Sequence, residues 1–204
     1  MNKGLRWSLA LSVAPATDLI TLDEAKAHLR VDDAASDTYI ENTLIPAALQ
    51  GFDGAAGCLG RALITQTWLL YLDSFPDSGR AIQVPLSPLQ SITSIAYVDT
   101  EGASQTWAAS KYIVDNEAEP GLVTPAYNEV YPSTRDQLQA VTITYKAGYG
   151  LTAATVPERI RQRILIEIAD LYEHRQTAVI GVTGIAIPRQ PDDLIYSYRV
   201  GVIG

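Results

Sequence analysis

Hydrophobic and polar positions divide this chain into stretches of different period. Thr21-Leu22-Asp23-Glu24 has the form of a capping box, and Ala25 and Leu29 continue an apolar face, which predicts a helix to about Arg30. A second helix is predicted from Ser36. Asp37 sits in its first turn, and Ile40, Leu44, Ala48 and Phe52 recur on one side. Pro46 should kink that helix, and Gly51, Gly54, Gly57 and Gly60 weaken its second half.

After Arg61 the period shortens to two. Thr65, Thr67, Leu69 and Tyr71 alternate with Gln66, Trp68, Leu70 and Leu72, which predicts a long strand over 63–73. Short strands should follow at 81–84, 91–98, 105–107, 112–114 and 122–124, with Asp99-Thr-Glu-Gly102 as a hairpin turn. Val141, Ile143 and Tyr145 alternate with Thr142, Thr144 and Lys146 in a final strand, giving a compact antiparallel β-unit. Pro157 then opens a helix whose apolar stripe is Ile160, Ile164, Leu165, Ile168, Leu171 and Tyr172. Residues 177–204 have no sustained period. Gly181, Gly184, Pro188 and Pro191 punctuate them, yet they are too apolar for ordinary disorder, so they either dock on another chain or fold back on their own domain.

Composition narrows the class of protein. A chain of 204 residues, 47% hydrophobic and 19% charged, can bury a core without metals or disulfides. Its single cysteine, Cys58, cannot bridge within the chain, and no Cys/His cluster has ligand spacing. The formal charge of -8 argues against tight binding of DNA through its phosphates. Residues 1–60 carry four basic and eight acidic groups, 61–150 five and nine, and 151–204 six and six, so the regional charges are -4, -4 and 0. Lys3 and Arg6 before the apolar stretch Trp7 to Ala14 suggest a signal peptide, but Ser8 and Ser12 interrupt it and Pro15 lies in the would-be cleavage site. No run reaches the length of a membrane span.

Candidate chemistry is sparse. His28 and His174, the only histidines, lie far from any nucleophile motif, and Cys58 has no paired base, which points to surface histidines and a buried or half-buried thiol. Asp32, Asp33 and Asp37 could gather a divalent cation but lack the EF-hand spacing. The glycines from Gly51 to Gly60 precede a strand and lack a Lys-Ser/Thr pair, so neither a Walker nor a Rossmann loop fits. Arg159, Arg161 and Arg163 are the one local basic concentration, and Arg159 and Arg163 share a helix face. Two other classes stay in view: a small metal-dependent hydrolase using Asp32, Asp33 and His28, and a secreted β-rich binding module.

The order of these elements resembles the head-tail connector, or adaptor, proteins of long-tailed bacteriophages. The likeness runs from about Ile20 to Arg175. It rests on Ile20-Thr-Leu-Asp-Glu-Ala-Lys-Ala-His-Leu-Arg-Val-Asp32, the second helix from Ser36-Asp37 to Gly60-Arg61, and Ala62-Leu-Ile-Thr-Gln-Thr-Trp68. Val84-Pro-Leu-Ser-Pro-Leu-Gln-Ser-Ile92, Ile143-Thr-Tyr-Lys-Ala-Gly-Tyr-Gly150 and Val156-Pro-Glu-Arg-Ile160 complete it. The glycine-rich second helix and Pro46 depart from the family pattern, and the first 19 residues have no clear counterpart in it.

The resemblance implies an α+β fold. A helical core would consist of an N-terminal helix pair (21–60) and a long C-terminal helix (151–176), with an inserted antiparallel β-unit (61–150), an N-terminal arm (1–20) and an extended C-terminal docking tail (177–204). It implies a non-enzymatic structural protein of the virion neck, made in the host cytoplasm and using no cofactor, catalytic residue or metal. Such a protein forms a homo-oligomeric ring, twelve-fold to match the portal, that extends the DNA channel and docks a downstream neck or tail-terminator (stopper) protein. DNA would pass without specific binding, helped by an acidic lumen, and no membrane is involved. Portal contact is expected from Ile185, Ile187, Pro188, Leu194, Ile195, Tyr196 and Tyr198. Subunit contacts are expected from Arg159, Arg163, Glu167 and Asp170.

Overall fold

The computed structural model describes residues 6–174 and 195–200. Among them eight strands are formed: β1 (Trp7–Val13), β2 (Gln66–Leu72), β3 (Ile82–Val84), β4 (Leu89–Val98), β5 (Ser104–Trp107), β6 (Tyr112–Asp115), β7 (Gly121–Pro125) and β8 (Val141–Ala147). A five-stranded antiparallel sheet has the order β1-β2-β8-β4-β5, and a three-stranded one the order β3-β7-β6.

The alternation in β2 decides how the larger sheet faces. Gln66, Trp68, Leu70 and Leu72 are buried, while Thr67, Leu69 and Tyr71 are half-buried on the other side. The register sets Trp68 opposite Tyr145 and Leu70 opposite Ile143, so the apolar sets of β2 and β8 share a face. Across from them, Ile82 and Val84 of β3 and Val123 of β7 join the same cluster, which both sheets therefore cover. Phe75, Trp107 and Tyr131 close one end, with Phe75 stacked on Tyr131 at 5.0 Å between ring centroids. Asp99 accepts hydrogen bonds from the backbone N–H groups of Glu101 and Ala103, making the turn from β4 to β5 where the sequence places a hairpin.

The helices build a second cluster. In α1 (Leu22–Leu29) the Thr21 hydroxyl caps the Glu24 N–H at 3.2 Å. The predicted second helix is broken. Asp37–Tyr39 (α2) passes into a π-turn over Ile40–Leu44 before Ile45–Gln50 (α3), and the chain beyond Gly51 is irregular. Pro46 has no N–H and its ring crowds the preceding turn, and a widened turn directly before it accommodates both. In α4 (Glu158–Glu173) Ile160, Ile164, Leu165 and Ile168 are buried against Ala25, Ile40, Leu44, Ala48 and Phe52.

A helical core with strands inserted into it is not what forms. Two antiparallel sheets dominate, and the helices are short, α1 having 8 residues and α4 16. The larger sheet also begins before the first helix, because β1 pairs with β2 along Trp7↔Leu72 to Leu11↔Trp68. The stretch that suggested a signal peptide is this strand: Trp7, Leu9 and Leu11 alternate with Ser8, Ala10 and Ser12, a period of two that serines and alanine make weak. The description is therefore a mostly β fold with a small helical content.

Candidate functional site: the carboxy-terminal anchor and the charged helix

Arg61 occupies the junction of three chain segments. Its own backbone bridges to Asp53 and to Ser87, which holds the residue against the body before its side chain makes any contact. The side chain is 5% exposed. Its guanidinium donates to both carboxylate oxygens of Glu119, Nη1 to Oε1 at 2.6 Å, while Nε donates to the Tyr198 carbonyl. It also lies 5.7 Å from the centre of the Tyr149 ring. Burial opposes the positive charge, but the Glu119 hydrogen bonds, with the electrostatic contributions of Tyr149, Glu119 and Tyr198, outweigh it and raise the Arg61 pKa. Burial pushes the Tyr149 hydroxyl up as well, and that hydroxyl has no hydrogen-bond partner.

The other end of the anchor is backbone and apolar. Val200 N–H donates to the Leu59 carbonyl at 2.9 Å. Gly60 has φ of +65° and lies where a Cβ would stand 3.1 Å from the Val200 carbonyl oxygen, so a residue without a side chain lets the two strands approach. Ile195 is 1% exposed in the helix-side cluster and Tyr198 packs against it, whereas Tyr196 is 71% exposed. Of the residues expected to contact the portal, Ile195 and Tyr198 thus engage their own chain. Tyr196 faces outward, and Ile185, Ile187, Pro188 and Leu194 lie outside the described residues.

A buried polar chain supports the loop beneath this anchor. Asp53 accepts from Leu63 N–H at 2.8 Å and from Gln66 Nε2 at 2.6 Å, and Gln66 Oε1 accepts from Trp68 Nε1 at 3.0 Å. Burial raises the Asp53 pKa in spite of these lowering hydrogen bonds.

On α4, Arg163 pairs with Glu167 one turn on at 2.9 Å and lies 5.2 Å from the centre of the Phe52 ring, so both residues are already engaged within the chain. Arg159 is exposed, and Asp170 has partners of its own. Arg161, part of the basic triplet but not among the expected subunit contacts, ties α4 to α1 through Glu24 and also meets Glu158 at 2.9 Å. No spacing could have revealed that, because Glu24 and Arg161 lie 137 positions apart.

Among the described residues no group of three or more His, Cys, Asp and Glu is placed to hold a metal, and no helix is long and apolar enough to cross a membrane. Lys26 spans the Asp33 carbonyl and the Asp37 carboxylate, His28 is exposed, and Cys58 is an exposed free thiol instead of a half-buried one.

The fold is one found in the necks of phage-like particles. A chain from the neck of an empty gene transfer agent particle, computed with C6 symmetry, superposes with a TM-score of 0.76 at 21% identity, covering 96% of this chain and 97% of that one. A chain from the virion of a native gene transfer agent particle gives 0.76 at 22% identity over 96% of each. A third, from a native neck computed with C12 symmetry, gives 0.67 at 23% identity over 96% and 97%. The chain matches no family model and no curated protein. The resemblance to a phage-neck protein is borne out to this extent: the fold is shared with chains of gene transfer agent necks, although not as the helical core expected of it.

Proposed function

We propose that this chain is a structural protein of the neck of a phage-like particle: a head-tail connector that forms a ring under the portal, extends the DNA channel and receives the next neck protein. The observation that carries this reading is the likeness over 96% of the chain to a gene transfer agent neck component, at a TM-score of 0.76. Necks computed with C6 and C12 symmetry favour a ring of identical copies. The residues fit such a role, since their charged groups pair with one another in place of converging on a reacting centre.

In this reading the ring is virion-located and its action is mechanical, through packing and docking. Tyr196, exposed beside the anchored Ile195, and the tail residues before it supply the portal contact. Channel DNA slides past an acidic protein that offers it few cations. The test is direct: portal rings from the same genome are incubated with the purified chain and imaged by electron microscopy. Ring-shaped density beneath the portal is expected, and portals that remain bare at saturating protein would refute the connector role.

A further inference from the structure

The five-stranded sheet ends in β1, a strand that pairs with no strand of the smaller sheet. Trp7, Leu9 and Leu11 stand opposite Leu72, Leu70 and Trp68, and so face the side where the two sheets share their core. Leu9 packs against the shared cluster, yet Trp7 is 38% and Leu11 47% exposed. Among the described residues β1 is also an edge strand, hydrogen-bonded to β2 alone. Natural edges are usually guarded by charge, proline, a β-bulge or shortness. β1 is seven residues long with no charged residue from Trp7 to Thr17, and its one register shift, between Leu11 and Val13, leaves the run from Trp7 to Leu11 regular.

The smaller sheet offers a second, different edge. β6 pairs with β7 alone, and Ile113 in its middle is 55% exposed. Lys111, paired with Glu129, precedes this edge and exposed Asp115 and Glu117 close it with negative charge, whereas exposed Arg6 opens β1 with positive charge, so antiparallel pairing brings Arg6 to the acidic end of β6. Two unlike apolar edges with opposite terminal charges are what a head-to-tail contact requires, since a ring joins one face of each subunit to a different face of the next. Each copy carries a formal charge of -8, so copies approach at least cost where one of the two edges, β1, adds no further negative charge.

We infer that neighbouring copies of this chain dock head to tail, the β1 edge of one along the β6 edge of the next. The inference rests on the ring reading above and names the surface through which that ring closes. Backbone pairing along the four residues of β6 supplies direction, and Leu11 and Ile113 supply apolar contact beside it.

Sedimentation of the full chain at rising concentration tests this in about 0.1 M and about 1 M salt, where the screening length falls from roughly 10 Å to 3 Å. Association should strengthen with salt as the repulsion between like-charged copies is screened. Leu11→Asp and Ile113→Asp should each weaken it at least about tenfold, a loss of about 1.4 kcal/mol. An equimolar mixture of the two variants should form dimers that grow no further, because each variant keeps one intact edge. Tyr196→Ser, on the carboxy-terminal segment, should associate like the parent.

If either edge variant loses its cooperative thermal transition, disulfide trapping replaces it: Leu11→Cys with Ile113→Cys, in a Cys58→Ser background, should yield a ladder of multimers on oxidation. A parent chain that stays monomeric in all conditions, edge variants that associate like the parent, a mixture that gives no dimer, or no ladder would each overturn the inference. The two readings fail separately. Rings on the portal that survive Leu11→Asp would sink this surface and leave the connector role standing, whereas head-to-tail association without portal binding would do the reverse.

Discussion

Replacing Arg61 by methionine measures what holds the carboxy-terminal segment to the body. Methionine keeps most of the apolar stem and removes the guanidinium. Three effects then compete. The cost of burying the cation disappears, which is a gain. Glu119, whose side chain is 43% exposed, regains water, so its lost ion pair contributes only about 0–1 kcal/mol. The Tyr198 carbonyl loses a charged donor and is left unpaired, at about 1–3 kcal/mol. The net expectation is a destabilisation of about 2 kcal/mol, which lowers the Tm by about 4–8 °C in a chain of this size.

Urea unfolding should show the loss as a shifted midpoint with an unchanged slope. Amide exchange supplies the local readout. The Val200 N–H, bonded to Leu59, should exchange much faster in the variant, while amides of β2 and β8 should speed up only in proportion to the loss of global stability. Glu119→Ala should cost a comparable amount, because it strands a cation that is only 5% exposed. A change below about 0.5 kcal/mol in both variants, with Val200 exchange unaltered, would refute the anchor and reduce the pair to an ordinary surface contact.

Other substitutions probe neighbouring parts of the same assembly. Ile195→Ala should destabilise by about 2–5 kcal/mol if this residue belongs to the core, and a neutral result in thermal unfolding would place the segment off the body. Gly60→Ala combines a positive φ with a Cβ 3.1 Å from the Val200 carbonyl oxygen, so it should cost about 1 kcal/mol or more and release Val200 exchange selectively. Asp53 has a raised pKa in the fold, so its protonation favours the native state: its stabilising contribution is complete below its ordinary value of 3.8 and is lost as pH rises through the raised value. The stability of the parent relative to Asp53→Asn should therefore increase as pH is lowered from neutrality toward 4, and a flat difference would remove the burial argument.

The strands were readable because a half-buried strand writes its facing into every second residue. Trp68, Leu70 and Leu72 against Thr67, Leu69 and Tyr71 announce β2, and Val141, Ile143 and Tyr145 announce β8. β1 escaped because Ser8, Ala10 and Ser12 give weak contrast and its edge position leaves Trp7 and Leu11 partly bare. The broken second helix was legible at Pro46 and in the run of glycines, but not where the chain would turn. The family likeness supplied a helical core, and only the pairing of β1 with β2 shows that the sheet does not sit inside one. The anchor left no local trace at all. Arg61 meets Glu119 across 58 positions and Tyr198 across 137, and such meetings are settled by tertiary packing, not by spacing.

Ile195 follows both helices in the chain and yet completes the cluster that α1 and α4 share. On the ribosome both helices emerge before it, so that cluster stays unfinished until Ile195 has been made. A product truncated short of Ile195 would carry an apolar gap between its helices and would be exposed to proteases and chaperones. Completion of the helical cluster is thus tied to translation past Ile195, and a chain stopped short of it lacks packing that both helices share.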